Sequence, residues 1–234
     1  MNERNGNVLL RFLRSLLAKE RPCTHLFFLG DIFDLWIGDH VYFADSFRPF
    51  VEALTTLVRQ GVSVYYVEGN HDVHVKEFWQ RLGVVSFVED RTFTVGPWRI
   101  RVSHGDLMNP QDRAYARYRN FIRLPALEKL AHQLPAKQLH AFGKWASQNS
   151  RKKSGVRRRT NEPILRTMIH DYARKVYTEV PFDFLISGHM HIQDEWPLFE
   201  GRPMPISINL GSWFDQPTVL WVDDHNYGWE QLQS

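Results

Sequence analysis

Cysteine is almost missing from this chain: Cys23 stands alone among 234 residues. A lone thiol excludes an internal disulfide framework and fits a reducing compartment, with Cys23 a small packing residue ahead of a strand. Long apolar runs are missing too. None approaches the ~20 residues that span a bilayer, and no basic-then-apolar segment opens the chain. The expected location is the cytoplasm. No internal repeat is present, which sets aside solenoids and propellers. Neither sign of charge dominates, since 29 Lys and Arg against 26 Asp and Glu leave +3. So slight an excess makes nucleic acid an unexpected partner for the whole surface.

One further absence concerns the fold. Residues 7–20 place Val8, Leu9, Phe12, Leu13, Leu16 and Leu17 at helical spacing, with Arg11, Arg14, Lys19 and Glu20 between them. Pro22 ends that amphipathic helix, and His25 to Leu29 reads as a buried strand. A parallel sheet is built from strand–helix–strand units. Here the helix comes first, and the strand that should precede it is missing.

What is present is ordinary in amount and unusual in arrangement. A hydrophobic share of 43% and a charged share of 24% describe a globular protein with one substantial core. The apolar run Val62 to Val67 reads as a strand and ends in Gly69-Asn70-His71-Asp72. The strand His25 to Leu29 ends in Gly30-Asp31-Ile32-Phe33-Asp34. A hairpin of Thr92–Val95 and Trp98–Val102 about Gly96-Pro97 ends in Ser103-His104-Gly105-Asp106. Asp183 to Ser187 ends in Gly188-His189-Met190-His191. Four strands thus finish in a glycine beside Asp, Asn or His. In open α/β sheets ligands bind at the carboxyl ends of strands. Asp, Asn and His form a mixed oxygen and nitrogen donor set without thiolate. That set suits Mn²⁺, Fe or Zn²⁺ better than Ca²⁺ or Mg²⁺ alone. Two such ions side by side can clamp a phosphoryl group during in-line displacement, with no Ser or Cys nucleophile.

Residues 107–179 carry helical patterns and no clear strand, interrupted at Leu124-Pro125 and Pro135, with a last helix near 161–177. The expected division is a core of 1–106 and 180–234 with an inserted helical cap of 107–179. The cap holds a cationic run, Arg151-Lys152-Lys153 and Arg157-Arg158-Arg159. Solvated surface, substrate phosphate, anionic lipid headgroups and nucleic acid are its four readings. Pro205–Leu210 and Thr218–Val222 read as strands of a second sheet, and Asp223 to Asn226 as a turn.

The motifs Gly30-Asp31-x-x-Asp34, Gly69-Asn70-His71-Asp72, His104 and Gly188-His189-x-His191 resemble those of calcineurin-like metallophosphoesterases, in the same order. The resemblance implies an α/β two-sheet sandwich flanked by helices, with two divalent metals at the strand ends, Mn²⁺ first and Fe or Zn²⁺ as alternatives. It implies that Asp31 bridges the metals, that Asn70, His104 and His189 complete one shell, and that His191 binds the other ion. His71 would steady the phosphoryl group or protonate the leaving oxygen, oriented by Asp72, with Asp34 behind the ligands. The family's opening Asp-x-His is absent, so the first strand and two ligands are missing. The expectation is a chain that starts at an internal Met; the alternative is a variant with at most one metal, a scaffold that binds without catalysing.

Within that superfamily, Asp31 to Asp39, His104-Gly105-Asp106 with Asp112-x-x-Tyr115, and Leu210-Gly211-x-Trp213 are similar to UDP-diacylglucosamine hydrolases of lipid A synthesis. That likeness implies cleavage of the pyrophosphate of a UDP-linked diacylglucosamine to UMP and an acylated sugar 1-phosphate. It implies substrate contacts from Asp112, Tyr115, Ser150, Ser154 and Arg157, where Ser154 stands in place of an Asn. Those hydrolases carry Arg after the metal-binding Asn, where this chain has His71. Another phosphodiester, of a nucleotide or nucleic acid, is therefore the alternative substrate.

Overall fold

The computed structural model describes residues 3–135, 138–139 and 161–233. They fall into two compact units, one of residues 1–88 with 113–151, the other of residues 89–112 with 152–233.

The first unit begins with helix α1 (Glu3–Leu17), four residues earlier than its apolar spacing suggests. Val8, Leu9, Leu13 and Leu16 are buried along one stripe, as i, i+3, i+4 spacing demands. Strand β1 (His25–Phe28), the short strand β2 (Trp36–Ile37), helix α2 (Val41–Ser46) and helix α3 (Arg48–Arg59) follow. Helix α3 buries Phe50, Ala53, Leu54 and Leu57 and packs on α1. Next come β3 (Ser63–Val67), β4 (Asp72–Val73), α4 (Lys76–Arg81) and β5 (Val85–Phe87). Strands β1, β3 and β5 form a parallel sheet in that order, with Phe28 beside Tyr66 in register. An aromatic cluster fills the space behind it. Trp36 and Trp79 are fully buried, with ring centroids 5.4 Å apart, and Phe33 lies 4.8 Å from Trp36. The same unit holds helices α5 (Arg113–Ile122) and α6 (Pro125–Gln133).

The second unit is built on a five-stranded sheet. It contains β6 (Arg91–Val95), β7 (Trp98–Ser103), helical residues 161–179 (α7), β8 (Phe184–Ser187), β9 (Gln193–Pro197) and β10 (Ile206–Leu210). The order is β6-β7-β8-β10-β9. The hairpin pairs antiparallel, while β7, β8 and β10 run parallel. Ala173 and Val176 of α7 bury themselves with Phe182, Leu185 and Leu198. Thr218–Val222 (β11) is a strand, as its β-branched pattern suggests, but it belongs to a separate two-stranded sheet. Its partner is β12 (Tyr227–Gln231) rather than the large sheet. The turn between them is held by Asp223, whose Oδ1 accepts the N–H groups of His225 and Asn226 at 2.8 and 2.7 Å.

Candidate metal and phosphate site

Parallel neighbours carry their following turns to the same edge. With Phe28 beside Tyr66, Asp31 and Gly69 stand at matching distances past β1 and β3. Their two turns grip one another reciprocally. Asp31 Oδ1 accepts the backbone N–H of Asn70 and of His71, each at 2.9 Å. Asp72 Oδ1 and Oδ2 accept the N–H groups of Asp31 and Ile32 at 3.0 and 3.1 Å, and Oδ1 also takes that of Gly69 at 2.7 Å. The Tyr66 hydroxyl donates to Asp72 Oδ2. Burial, then the charge of Asp72, pushes that hydroxyl well above its ordinary pKa, so Tyr66 stays a donor. Asp72 is completely buried, a place a carboxylate occupies only when its oxygens are satisfied.

This interlock explains the glycine. A Cβ on Gly69 would stand 2.1 Å from Asp31 Oδ1 and 2.7 Å from Asp72 Oδ1, so a side chain there would drive the two turns apart. Sequence reasoning assigns Asp72 the orientation of His71; the hydrogen bonds of its carboxylate brace the backbone of the facing turn. The His71 ring itself meets Asp34, whose carbonyl oxygen lies 3.0 Å from Nδ1. A carbonyl only accepts, so Nδ1 carries a proton in this contact.

Three side chains that the motif reading passes over support this turn. Tyr66 is one. Glu68, 2% exposed, closes the start of α4 by accepting the N–H groups of Lys76 and His74 at 2.8 and 3.3 Å. Burial pushes its carboxyl up to about 7, against the lowering pull of the Lys76 N–H and the Arg123 charge. Arg123 is the third; its Nη2 donates to the Gly69 carbonyl at 3.0 Å. The only sequence signal for Glu68 is an acidic residue at the end of an apolar strand. Tyr115 of α5 reaches the same turn, its hydroxyl 3.5 Å from Asn70 Oδ1.

In the second unit, the register Ser103 beside Ser187 brings the ends of β7 and β8 together. The Gly188 N–H donates to the His104 carbonyl at 3.1 Å. Gly105, at φ +98, lets the backbone close on Gly188, whose carbonyl would lie 2.8 Å from an added Cβ. The side chains converge as well, with His189 Nδ1 3.1 Å from His104 Nε2 and the rings inclined at 70°. Two nitrogens bound about 2.0–2.1 Å from one ion, at angles between octahedral and tetrahedral, stand about 2.8–3.4 Å apart. The pair therefore fits a shared divalent cation. Asn209, fully buried on β10, holds the turn from below. Its Nδ2 donates to the Gly188 carbonyl at 2.8 Å and to Ser187 Oγ at 3.0 Å, and its Oδ1 accepts the Gly211 N–H at 3.3 Å.

Backbone conformation marks the same residues. Of the five non-glycine residues described with positive φ, three are Asp31 (55°), His189 (62°) and His191 (58°). The left-handed region costs about 1–3 kcal/mol per residue and collects at working sites. Asp112 sits in the turn before α5, its N–H 3.2 Å from the Asn109 carbonyl. Ser150, Ser154 and Arg157, with the rest of the cationic run, lie outside the described residues.

Known proteins are similar to this chain along most of its length. A UDP-2,3-diacylglucosamine hydrolase of Photorhabdus laumondii subsp. laumondii is 28% identical over 230 residues, covering 96% of this chain and 92% of that protein. One from Vibrio vulnificus is 29% identical, covering 88% and 83%. Among solved structures, a Vps29 double mutant from Entamoeba histolytica aligns over 95% of this chain and 88% of its own at 14% identity and a TM-score of 0.42. The family model for calcineurin-like phosphoesterases matches residues 5–193, which include the glycine-flanked turns after β1, β3, β7 and β8. The chain belongs to the calcineurin-like phosphoesterase family and is a metal-dependent phosphoester hydrolase.

Proposed function

We propose that this enzyme hydrolyses the pyrophosphate of a UDP-linked diacylglucosamine, releasing UMP and an acylated sugar 1-phosphate. The relatives named for that substrate match along almost their whole lengths. The structural observation that carries the reading is the seat of Tyr115, a candidate substrate contact, on Asn70, a candidate metal ligand. Asp31, Asn70, His104, His189 and His191 are the residues proposed to hold two divalent ions, Mn²⁺ first. When bound, such ions neutralise phosphoryl charge and activate water near neutral pH. The chain's own residues do the rest. The Asp31 carboxylate is fixed by two backbone N–H groups, so it is oriented before any ion arrives. His71, its Nδ1–H held by the Asp34 carbonyl, donates a proton from Nε2 to the leaving oxygen in the doubly protonated form of the ring. Asp112, Tyr115, Ser150, Ser154 and Arg157 are proposed to bind the nucleotide and sugar phosphates.

No helix among the described residues is long and apolar enough to cross a membrane. A cytoplasmic enzyme that meets its lipid substrate at the inner membrane surface fits the proposed reaction. The test is release of UMP from UDP-diacylglucosamine by the Mn²⁺-loaded chain. A second reading has one observation in its favour: His71 stands where the lipid-nucleotide hydrolases carry Arg, which suits a general phosphodiester substrate. Faster turnover of bis(4-nitrophenyl) phosphate than of the lipid nucleotide would select that reading.

A further inference from the structure

Arg123 follows the last residue of α5 and carries an uneconomical burden. Its Nε and Nη1 are buried with no hydrogen-bond partner. A buried guanidinium with idle donors destabilises a fold relative to an apolar side chain of similar size. Its one satisfied nitrogen, Nη2, is spent on the Gly69 carbonyl. That carbonyl and the Asn70 N–H belong to a single planar peptide unit. The N–H end of the unit is held by Asp31 Oδ1 at 2.9 Å, and the C=O end by Arg123 at 3.0 Å. A plane fixed at both ends sets the direction in which Asn70 projects its side chain. The segment that supplies Arg123 also touches Asn70 Oδ1 through Tyr115 and receives the His74 ring on the Ile122 carbonyl at 3.0 Å. Helix α6, just beyond, is tied to the loop after β2, with His132 Nε2 3.1 Å from Asp39 Oδ1. The whole arm from Arg113 to Gln133 is thus seated on the loops that follow β2 and β3.

We propose that Arg123 is a positioning residue for metal binding, which aims the Asn70 amide by clamping the Gly69 carbonyl and so couples tight metal binding to the seating of helix α5. The inference rests on the reading of Asn70 as a ligand. It assigns Arg123 no contact with substrate or metal.

The experiment is a Mn²⁺ titration of the full chain, followed by electron paramagnetic resonance, on wild type, Arg123→Met, Arg123→Lys, Asn70→Ala and the Arg123→Met/Asn70→Ala pair. Arg123→Met should weaken Mn²⁺ binding about 10–100-fold, as loss of a group that orients a ligand does. Arg123→Lys, which keeps a donor and a charge, should recover most of it. The double variant should bind no more weakly than Asn70→Ala, because both changes act on one ligand. Wild-type affinity in Arg123→Met overturns the proposal. So does a full additional loss in the double variant, which would make the effect one of general structure. If Asn70→Ala itself binds Mn²⁺ normally, the ligand reading falls and takes the proposal with it, a result distinct from the first two. Should Arg123→Met not fold, Arg123→Ala, which likewise removes the donor to the Gly69 carbonyl and leaves room for water in the vacated space, takes its place in the set with the same outcomes.

Discussion

The turns of the first unit and those of the second offer their donors by different means. Asp31 and Asp72 work through backbone N–H groups: each carboxylate takes those of the facing turn, and Tyr66 and Arg123 close the bracing. His104 and His189 converge because β7 and β8 are parallel neighbours in register, and a single buried Asn209 steadies their turn. In the first unit the functional groups are also the mortar of the fold. In the second the sheet does the placing, and Asn209 holds the turn that carries His189. Substitutions of the turn side chains themselves should therefore damage stability at Asp72 and chemistry at His189.

The largest expected effect is at Asp72. Asp72→Ala strands the N–H groups of Asp31, Ile32 and Gly69 and the Tyr66 hydroxyl, the last two of them buried, and at about 1–3 kcal/mol for each buried donor left unpaired the loss is about 2–6 kcal/mol; urea unfolding of wild type and variant measures it. A cost under about 1 kcal/mol would show that the carboxylate braces nothing. The contrast is sharpest at His189→Ala, where hydrolysis should fall more than about 100-fold while unfolding free energy stays within about 1 kcal/mol. A large stability loss there would erase the difference between the two units. Metal tests both sides together. Chelation by EDTA should abolish hydrolysis, and Mn²⁺ at about 100 times its Kd should raise the unfolding free energy by about 2.7 kcal/mol, read as a shift in thermal midpoint. Asn209→Ala comes next, with about 1–3 kcal/mol from the buried donors and acceptors it leaves unpaired. Tyr115→Phe is expected to be smallest. Removing one long hydrogen bond should cost about 0.5–1.5 kcal/mol, visible in KM more than in kcat.

Much of this was legible in the chain before any coordinates. β1, β3, β8 and β10 announce themselves as short apolar runs closely followed by glycine, because a sharp exit needs a residue without a side chain, while β7 alternates Arg with apolar residues and shows itself as the second arm of a hairpin. The donor set at their ends could be read from residue type alone. Helix α3 and strands β9 and β12 were not. Phe47, Arg48 and Pro49 open α3 without a side-chain cap, and Gln193–Pro197 alternates too weakly to be distinguished from loop. The pairing of β11 with β12 rather than with β10 is equally invisible in either segment by itself, since an apolar strand is compatible with any edge that completes its hydrogen bonds.

By itself, then, the sequence determined the glycine-flanked turns at the strand ends and the family to which the chain belongs, because turn residues and strand runs are written within a few positions of each other. Only the tertiary structure decided how the groups are held. Asp31 meets Asn70 across 39 positions, Arg123 meets Gly69 across 54, and His104 meets His189 across 85. Contacts at such separations depend on strand order and register, which no local pattern encodes, and it is these contacts that turn a set of polar side chains into an oriented site.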